Sequence, residues 1–205
     1  RSIYCPGANS ALSDNELEEA FISYPDALLI QGDLFGETMT ESIYLANSKS
    51  IPVMLDPSQI NFDEFDPQSL GDIEIFSPNA DEAYQLSGIY PDSVESCLKA
   101  CIKIINKIKC HYIVIKLHQK GCFIFDGVYS EIVPAFETEI VDKSGAGAVF
   151  DAALLHMYLQ SSDIINGAVY ANMCASICIS HQGAFHSIPK YSDIEDFIAN
   201  HKLNF

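Results

Sequence analysis

The chain has 205 residues, of which 48% are hydrophobic, and it carries 28 acidic residues against 11 lysines and arginines, a formal net charge of −17. This length suits one domain with a real core, and such an acidic surface disfavours nucleic acid and anionic membranes because it repels phosphate. The sequence contains no apolar run of the roughly 20 residues that span a bilayer, and no signal peptide opens it. We therefore expect a cytoplasmic protein.

Short apolar runs alternate with helical segments through the first half of the chain. Strands are predicted at residues 3–5, 27–31, 51–55 and 73–76, and helices from 13 to about 23 and over 37–48. Ser13 with Glu16 three residues later has the pattern of a capping box at a helix start. This alternation predicts an α/β fold with a doubly wound, mostly parallel sheet and helices on both faces.

The second half continues in the same way. Helices are predicted at 92–109, 149–160, 164–180 and 192–200, strands at 112–116 and 122–125, a strand-like run at 132–140, and a loop at 181–189. We find no internal repeat, low-complexity tract or linker. The whole chain, 1–205, is therefore expected to form a single α/β domain.

Polar residues follow the predicted strands at the carboxyl ends, where parallel sheets bind ligands. They are Asn9, Asp33, Asp56, Asn79 and Asp142. Any one of them is more simply explained as a turn or cap residue. Five at equivalent places favour a ligand site at this edge, although loops collect such residues in any case.

The stretch 141–150, Val-Asp-Lys-Ser-Gly-Ala-Gly-Ala-Val-Phe, organises the chain. Its small residues lie between a strand-like run and a long helix. They leave the first N–H groups of the helix uncovered, and the helix dipole adds positive charge there. Such a site suits phosphate or the charge of a phosphoryl-transfer transition state. The alternative is a small-residue helix start that only permits close packing.

Seven cysteines are present without a zinc-type Cys-x-x-Cys pair. Cys97 with Cys101, and Cys174 with Cys178, are spaced i, i+4 on predicted helices, which would allow metal binding. We favour the other interpretation, that they are buried small apolar residues in a reducing compartment.

The stretch 141–150 resembles the signature of the ribokinase-like (phosphofructokinase B) sugar kinases, Asp-Thr-Thr-Gly-Ala-Gly-Asp-x-Phe. The chain matches this signature at Asp142, Gly145, Ala146, Gly147 and Phe150, with Ser144 a near match. The resemblance implies that Gly145, Ala146 and Gly147 form an anion hole for the transferred phosphoryl group. The second Asp of the family, its catalytic base, is replaced by Ala148, which cannot accept the proton of a sugar hydroxyl.

Two further motifs agree with this family. Asn79 and Glu82 match its Pro-Asn-x-x-Glu motif, in which the Glu helps organise Mg²⁺ and phosphate, although the same pair is also a capping box. Lys116 and Gly121 match a segment that lies along the nucleotide, but His118 replaces a glycine there. We favour an ordinary loop histidine at this position over a new catalytic base, and a positive φ would be costly.

The loop 181–189 is similar to the segment of the family that lies beside the adenine, which implies nucleotide contacts at Gly183 and Ala184. In ribokinase this segment also helps hold a monovalent cation. By resemblance, Asp142, Ser144, Gly183 and Ser187 would hold K⁺. A plain connection between two helices is the alternative for this loop.

The resemblance implies ATP and Mg²⁺ as ligands, with K⁺ as an additional one, and transfer of phosphate from ATP to a sugar hydroxyl. It also implies that the N-terminal lid and most of the sugar-binding part are missing from this chain, and that Asp33 matches a late sugar-contacting acid. We expect a fragment with little or no kinase activity that self-associates through exposed apolar surface. The alternatives are a pseudokinase that serves as a nucleotide-binding or regulatory module, and an engineered Ala148.

Overall fold

The computed structural model describes residues 7–34, 36–58, 60–62, 66–203 and 205. Within these residues, six strands form one sheet in the order β1-β2-β3-β4-β5-β6. The strands are β1 (Leu28–Gln31), β2 (Val53–Asp56), β3 (Ile73–Phe76), β4 (Cys110–Lys116), β5 (Cys122–Phe125) and β6 (Ser130–Val133). Parallel pairing joins β1 to β2, β2 to β3 and β3 to β4. The predicted α/β fold with a mostly parallel sheet is confirmed.

The α-helices of the described residues precede β1, connect β1 to β2 and β3 to β4, and follow β6. They are α1 (Asp14–Ala20), α2 (Gly36–Ser48), α3 (Ala80–Ser87), α4 (Val94–Ile105), α5 (Ala146–Ser161), α6 (Ile164–Ile179) and α7 (Tyr191–His201). Short 3-10 helices lie at Gly7–Ser10, Pro67–Ser69 and His118–Lys120. The predicted strand at 3–5 lies outside the described residues.

Local side-chain caps begin several helices at the predicted residues. The Ser13 hydroxyl accepts the N–H of Glu16, whose carboxylate accepts the N–H of Ser13, so both halves of the capping box are present. Asp163 caps α6 by accepting the N–H groups of Ile165 and Asn166. Helix α1 ends at Ala20 and not near residue 23, because the N–H groups of Phe21 and Ile22 donate to carbonyl groups three residues back, which tightens the last turn.

The strand-like run 132–140 is largely irregular, which corrects that prediction. Strand β6 ends at Val133 because Pro134 has no N–H to donate to a ladder. The carbonyl groups of this segment are bonded by side chains of α6 instead. The Asn172 amide donates to the carbonyl oxygens of Val133 and Pro134 at 3.1 and 3.2 Å, and the Ser176 hydroxyl donates to that of Phe136.

The chain divides into two compact units. The first unit comprises Arg1–Ile115 and Phe125–Ser130. Its core contains the wholly buried strand β2 and one face of α2, where Met39, Ile43 and Ala46 recur at helical spacing and are at most 1% exposed. A strand buried along its whole length is covered on both faces, as is usual in parallel sheets.

The second unit comprises Lys116–Ile124 and Glu131–Phe205. Helices α5 and α6 pack closely along its core. Gly167 makes this approach possible, because a Cβ there would lie 3.1 Å from Leu154 Cδ1. Residues 122–124 of β5, which belong to this unit, are all buried. That the two units act together as one nucleotide-binding domain stays a prediction.

Candidate phosphate-binding site

The first turn of α5 presents backbone N–H groups, as the sequence predicts. Gly145 is its N-cap residue, with the left-handed φ of 84° that favours glycine, and a Cβ there would lie 3.3 Å from atoms of Ala184. The Val149 N–H is bonded to the Gly145 carbonyl at 2.9 Å. Gly147 and Ala148 are exposed, and no described residue accepts a hydrogen bond from either N–H.

Ala148 offers only a methyl group at the position that the resemblance assigns to the base. The next carboxylate along α5 belongs to Asp151, whose side chain is 1% exposed and forms an ion pair with Lys116 at 2.7 Å. A carboxylate that is buried and paired in this way cannot contact a sugar hydroxyl, so Asp151 does not replace the missing base. Asp151 is not among the residues predicted from the sequence, although an acidic residue beside Phe150 and ahead of Leu154 on the buried face of a helix is a visible signal.

The predicted cation-site residues lie together in the second unit. Asp142 accepts the Ser144 N–H at 2.9 Å through one carboxylate oxygen, and through the other the Gly183 N–H at 2.9 Å and the Gln182 amide at 3.1 Å. The hydrogen bonds from Ser144 and Gly183 hold the pKa of Asp142 below the ordinary value of an aspartate. Asp142 thereby joins the segment that leads into α5 to the loop that follows α6.

Ser187 belongs to the same network through a buried thiol. Its hydroxyl lies 3.2 Å from Cys178 Sγ and donates to the Ala184 carbonyl at 3.0 Å. Cys178 Sγ also contacts the Ser144 carbonyl at 3.9 Å. The structure thus brings Ser144, Ala184 and Ser187 together around one side of the Asp142 network.

The turn after β4 contains two residues with positive φ. Leu117 N–H donates to the Gly121 carbonyl at 2.7 Å, and His118 between them is exposed and has a φ of 55°. Gly121 has a φ of 92°, and any side chain there would collide with the carbonyl oxygen of Val133. Only glycine fits at residue 121, whereas His118 adopts the left-handed conformation despite its side chain.

Asn79 and Glu82 lie in the first unit and form a complete capping box at α3. Glu82 accepts the backbone N–H and the side-chain amide of Asn79 at 2.7 Å each, and its own N–H donates to Asn79 Oδ1 at 2.9 Å. The structural role of the pair is therefore observed. Its predicted role toward Mg²⁺ and nucleotide stays a prediction.

Polar side chains at the ends of β1 and β2 also meet within the first unit. Asn9 donates to the carboxylate of the half-buried Asp33 at 3.2 Å, and Gln31 donates to the carboxylate of the buried Asp56 at 3.0 Å. Asp33, Asn79 and Glu82 thus belong to the first unit, while the other predicted site residues belong to the second.

Two further observations concern metals and membranes. The cysteines of the two i, i+4 pairs are buried free thiols, as favoured from the sequence; they are Cys97, Cys101, Cys174 and Cys178. Burial raises the pKa of Cys174 to about 12. Over the described residues there is no group of three or more His, Cys, Asp or Glu residues arranged to hold a metal ion. None of the helices described is both long and apolar enough to cross a bilayer.

Comparison with known proteins places these features in a family. The model of the pfkB family of carbohydrate kinases matches residues 1–191. Ribokinase of Haemophilus influenzae is 28% identical over 200 residues, which cover 96% of this chain and 64% of that protein. The structure of Arabidopsis thaliana ribokinase complexed with ribose and ATP has a TM-score of 0.85 at 25% identity, over 96% of this chain and 64% of that one.

A third relative extends the comparison of folds. A structure of an Escherichia coli protein assigned as ribokinase II, in complex with ATP and Mg²⁺, has a TM-score of 0.74 at 21% identity and covers 93% of this chain. The present chain spans 64% of the length of each of these three relatives.

Proposed function

Because this chain belongs to the pfkB family of carbohydrate kinases, we propose that it binds ATP at the start of α5 and transfers phosphate to a sugar hydroxyl weakly or not at all. The observation that carries the first half is the first turn of α5. There Gly145 begins the helix at a φ of 84°, and the N–H groups of Gly147 and Ala148 have no acceptor in the described chain. On a chain with a net charge of −17, a polyanion needs such local donors.

The parent reaction is ATP plus a sugar hydroxyl giving ADP plus a sugar phosphate. By the resemblance, the N–H groups at Gly145, Ala146 and Gly147 would stabilise the charge of the transferred phosphoryl group, and in the ligand-free chain that of Ala146 donates to the Lys143 carbonyl at 3.4 Å. The turn 117–121 and the loop 181–184 would lie along the nucleotide. Phosphoryl transfer depends on such positioning and charge stabilisation. Asp33 is the proposed contact for the sugar, on the strength of the resemblance.

The donor groups present fit the two proposed cations. The Glu82 carboxylate is the kind of oxygen ligand that Mg²⁺ prefers, and Mg²⁺ uses few protein oxygens because it keeps most of its water. Bound Mg²⁺ would supply neutralisation of the phosphate charge. The network of Asp142, Ser144, Gly183 and Ser187 offers carboxylate, hydroxyl and carbonyl oxygens that can coordinate K⁺.

The second half of the proposal depends on Ala148. Loss of a general base alone typically lowers a rate by about 10²–10⁴-fold. Asp151 does not supply one, since it is buried and paired with Lys116. We therefore expect nucleotide binding to survive and turnover to be slow.

Calorimetric titration with Mg-ATP, with and without K⁺, tests the binding. We expect saturable binding that Glu82→Ala weakens. The matched control is Glu16→Ala, which removes the equivalent carboxylate of the other Glu-containing capping box in the first unit, at Ser13. Equal effects of the two variants on affinity would mean that Glu82 only caps a helix. Absence of binding up to about millimolar ATP, a weak affinity in free-energy terms, would contradict the proposal.

Restoring the carboxylate tests the turnover. We expect Ala148→Asp to raise ADP release with ribose, the sugar in the Arabidopsis complex, by at least about tenfold over Ala148→Asn, because only the carboxylate accepts the hydroxyl proton. An aspartate also suits the positive end of the helix dipole, so the variant should fold.

The second candidate function is a nucleotide-binding or regulatory module without catalysis. The observation in its favour is Ala148 itself. Tight Mg-ATP binding together with no turnover in Ala148→Asp would favour this candidate over the weak kinase.

A further inference from the structure

The ion pair between Lys116 Nζ and Asp151 Oδ2 is largely buried. Its side chains are 14% and 1% exposed, at a separation of 2.7 Å. By contrast, the side chains of Lys99–Glu95 are 60% and 78% exposed, and those of Lys109–Asp72 are 79% and 64% exposed. The proposed mechanism gives this buried pair no role.

Burial makes such a pair sensitive to the loss of one partner. Taking two charges out of water is costly, so an apolar pair of similar size often replaces a buried ion pair without loss. Removing only one partner leaves a buried charge without compensation and is strongly unfavourable. The two segments therefore stay together when the ion pair is intact, or when an apolar pair of similar size replaces it. They are destabilised when only one of the two charges remains.

The two segments that it joins are parts of the proposed nucleotide site. Lys116 ends β4 and leads directly into the turn closed by the Leu117 N–H and the Gly121 carbonyl. Asp151 lies on α5 one turn after Ala148, whose N–H belongs to the proposed phosphate site. Both segments lie in the second unit.

We propose that Lys116 and Asp151 are positioning residues, which hold the turn 117–121 against the start of α5 and do not touch the nucleotide. This inference rests on the proposed function. It revises the expectation that Lys116 contacts the nucleotide, because its ammonium group is bound to Asp151 at 2.7 Å.

Calorimetry with Mg-ADP and with adenosine distinguishes positioning from direct contact. We expect Lys116→Met and Asp151→Asn each to weaken both ligands by at least about tenfold, since each removes one charge of a largely buried ion pair. The double variant Lys116→Met/Asp151→Leu should return to within about threefold of the wild type, because an apolar pair replaces the ionic one. Lys99→Met, which breaks an exposed pair in the first unit, is the control and should change neither affinity.

A direct phosphate contact gives the opposite pattern. Lys116→Met would then weaken Mg-ADP and spare adenosine, and the double variant would stay as weak as Lys116→Met. Either result overturns the inference, because the ammonium charge itself would be needed by the ligand.

Hydrogen exchange in the ligand-free chain separates this inference from the proposed function. We expect both single variants to speed exchange at the amides of Leu117 and Val149, which are hydrogen-bonded to Gly121 and Gly145, and the double variant to restore protection. Wild-type chain that binds no nucleotide would refute the proposed function, and exchange would still decide the positioning role. Unchanged exchange of both amides in both single variants would refute that role.

Discussion

Two residues of one turn show how differently backbone strain is tolerated. His118 and Gly121 both have positive φ, but His118 is exposed, and its left-handed conformation costs only the modest strain of a residue with a Cβ. Gly121 faces the backbone of Val133 and Ala135, so a side chain there has no space. The glycine at 121 is therefore required by contact as well as by conformation.

We predict that Gly121→Ala lowers the free energy of unfolding by about 3 kcal/mol or more, because backbone strain and a collision with Val133 add. The matched control is Gly127→Ala. Gly127 has a similar φ of 96°, but a Cβ there would lie 3.7 Å from its nearest neighbour, Ile105 Cδ1. Its cost should be about 1 kcal/mol, the strain alone. Urea unfolding measures both variants, and equal losses would show that the collision is relieved by a backbone shift.

Asp142 should make stability depend on pH in acid. Its pKa is lowered in the folded chain by hydrogen bonds from Ser144 and Gly183, so the unfolded chain binds more protons as pH falls. The stabilisation is complete above the unfolded pKa of about 4 and is lost as pH falls through the folded pKa. Urea midpoints measured from neutral pH downwards should fall less steeply below about pH 4 in Asp142→Asn than in the wild type. The exposed Asp26→Asn serves as the control, and a slope unchanged in Asp142→Asn would contradict the prediction.

At the scale of elements, features set by neighbouring residues were predicted, whereas a strand end that depends on a distant helix was not. The capping boxes at Ser13 and Asn79 were predicted because each is complete within four residues, and strand 73–76 was predicted because it is a short apolar run. The end of β6 was not predicted. The amide of Asn172, on a helix far along the chain, bonds the carbonyl groups of Val133 and Pro134, and no local pattern shows this.

We predict that Asn172→Ala destabilises the second unit by about 2–4 kcal/mol, because it leaves two carbonyl groups without their donor at a site where the side chain is 5% exposed. Asn47→Ala is the control. Asn47 also makes two hydrogen bonds to backbone, at 2.7 and 2.9 Å to Asp72, but at an exposed site where water replaces them. Its loss should be about 1 kcal/mol. Thermal unfolding followed by circular dichroism compares the two, and an equal loss would mean that burial at Asn172 has no effect.

At the scale of the whole molecule, the fold class was predicted from the pattern of strands and helices, whereas the chemistry of the site was predicted from the family resemblance. Alternating strands and helices predicted the parallel sheet, because each short apolar run needs cover on both faces. The resemblance pointed to the start of α5 as the phosphate site, and Gly145 there adopts a left-handed conformation. The buried pair of Lys116 with Asp151 lay beyond such reasoning, because its partners are 35 residues apart and come together only through tertiary packing.

The edge of the sheet carries the last prediction, self-association of the chain. In the described residues β1 lies at one end of the strand order, and its Leu29 is 38% exposed among other exposed apolar side chains of the first unit, including Ile22 and Tyr24 at 71% each. Unpaired strand edges with apolar neighbours pair readily with another chain. Sedimentation velocity should show a species larger than the monomer that grows with concentration, and Leu29→Lys should reduce it because an edge lysine opposes pairing. Val128→Lys changes a side chain that is 96% exposed in a turn and should not. A monomer at every concentration would refute the prediction, whereas equal effects of both lysines would assign the association to general apolar exposure and not to the strand edge.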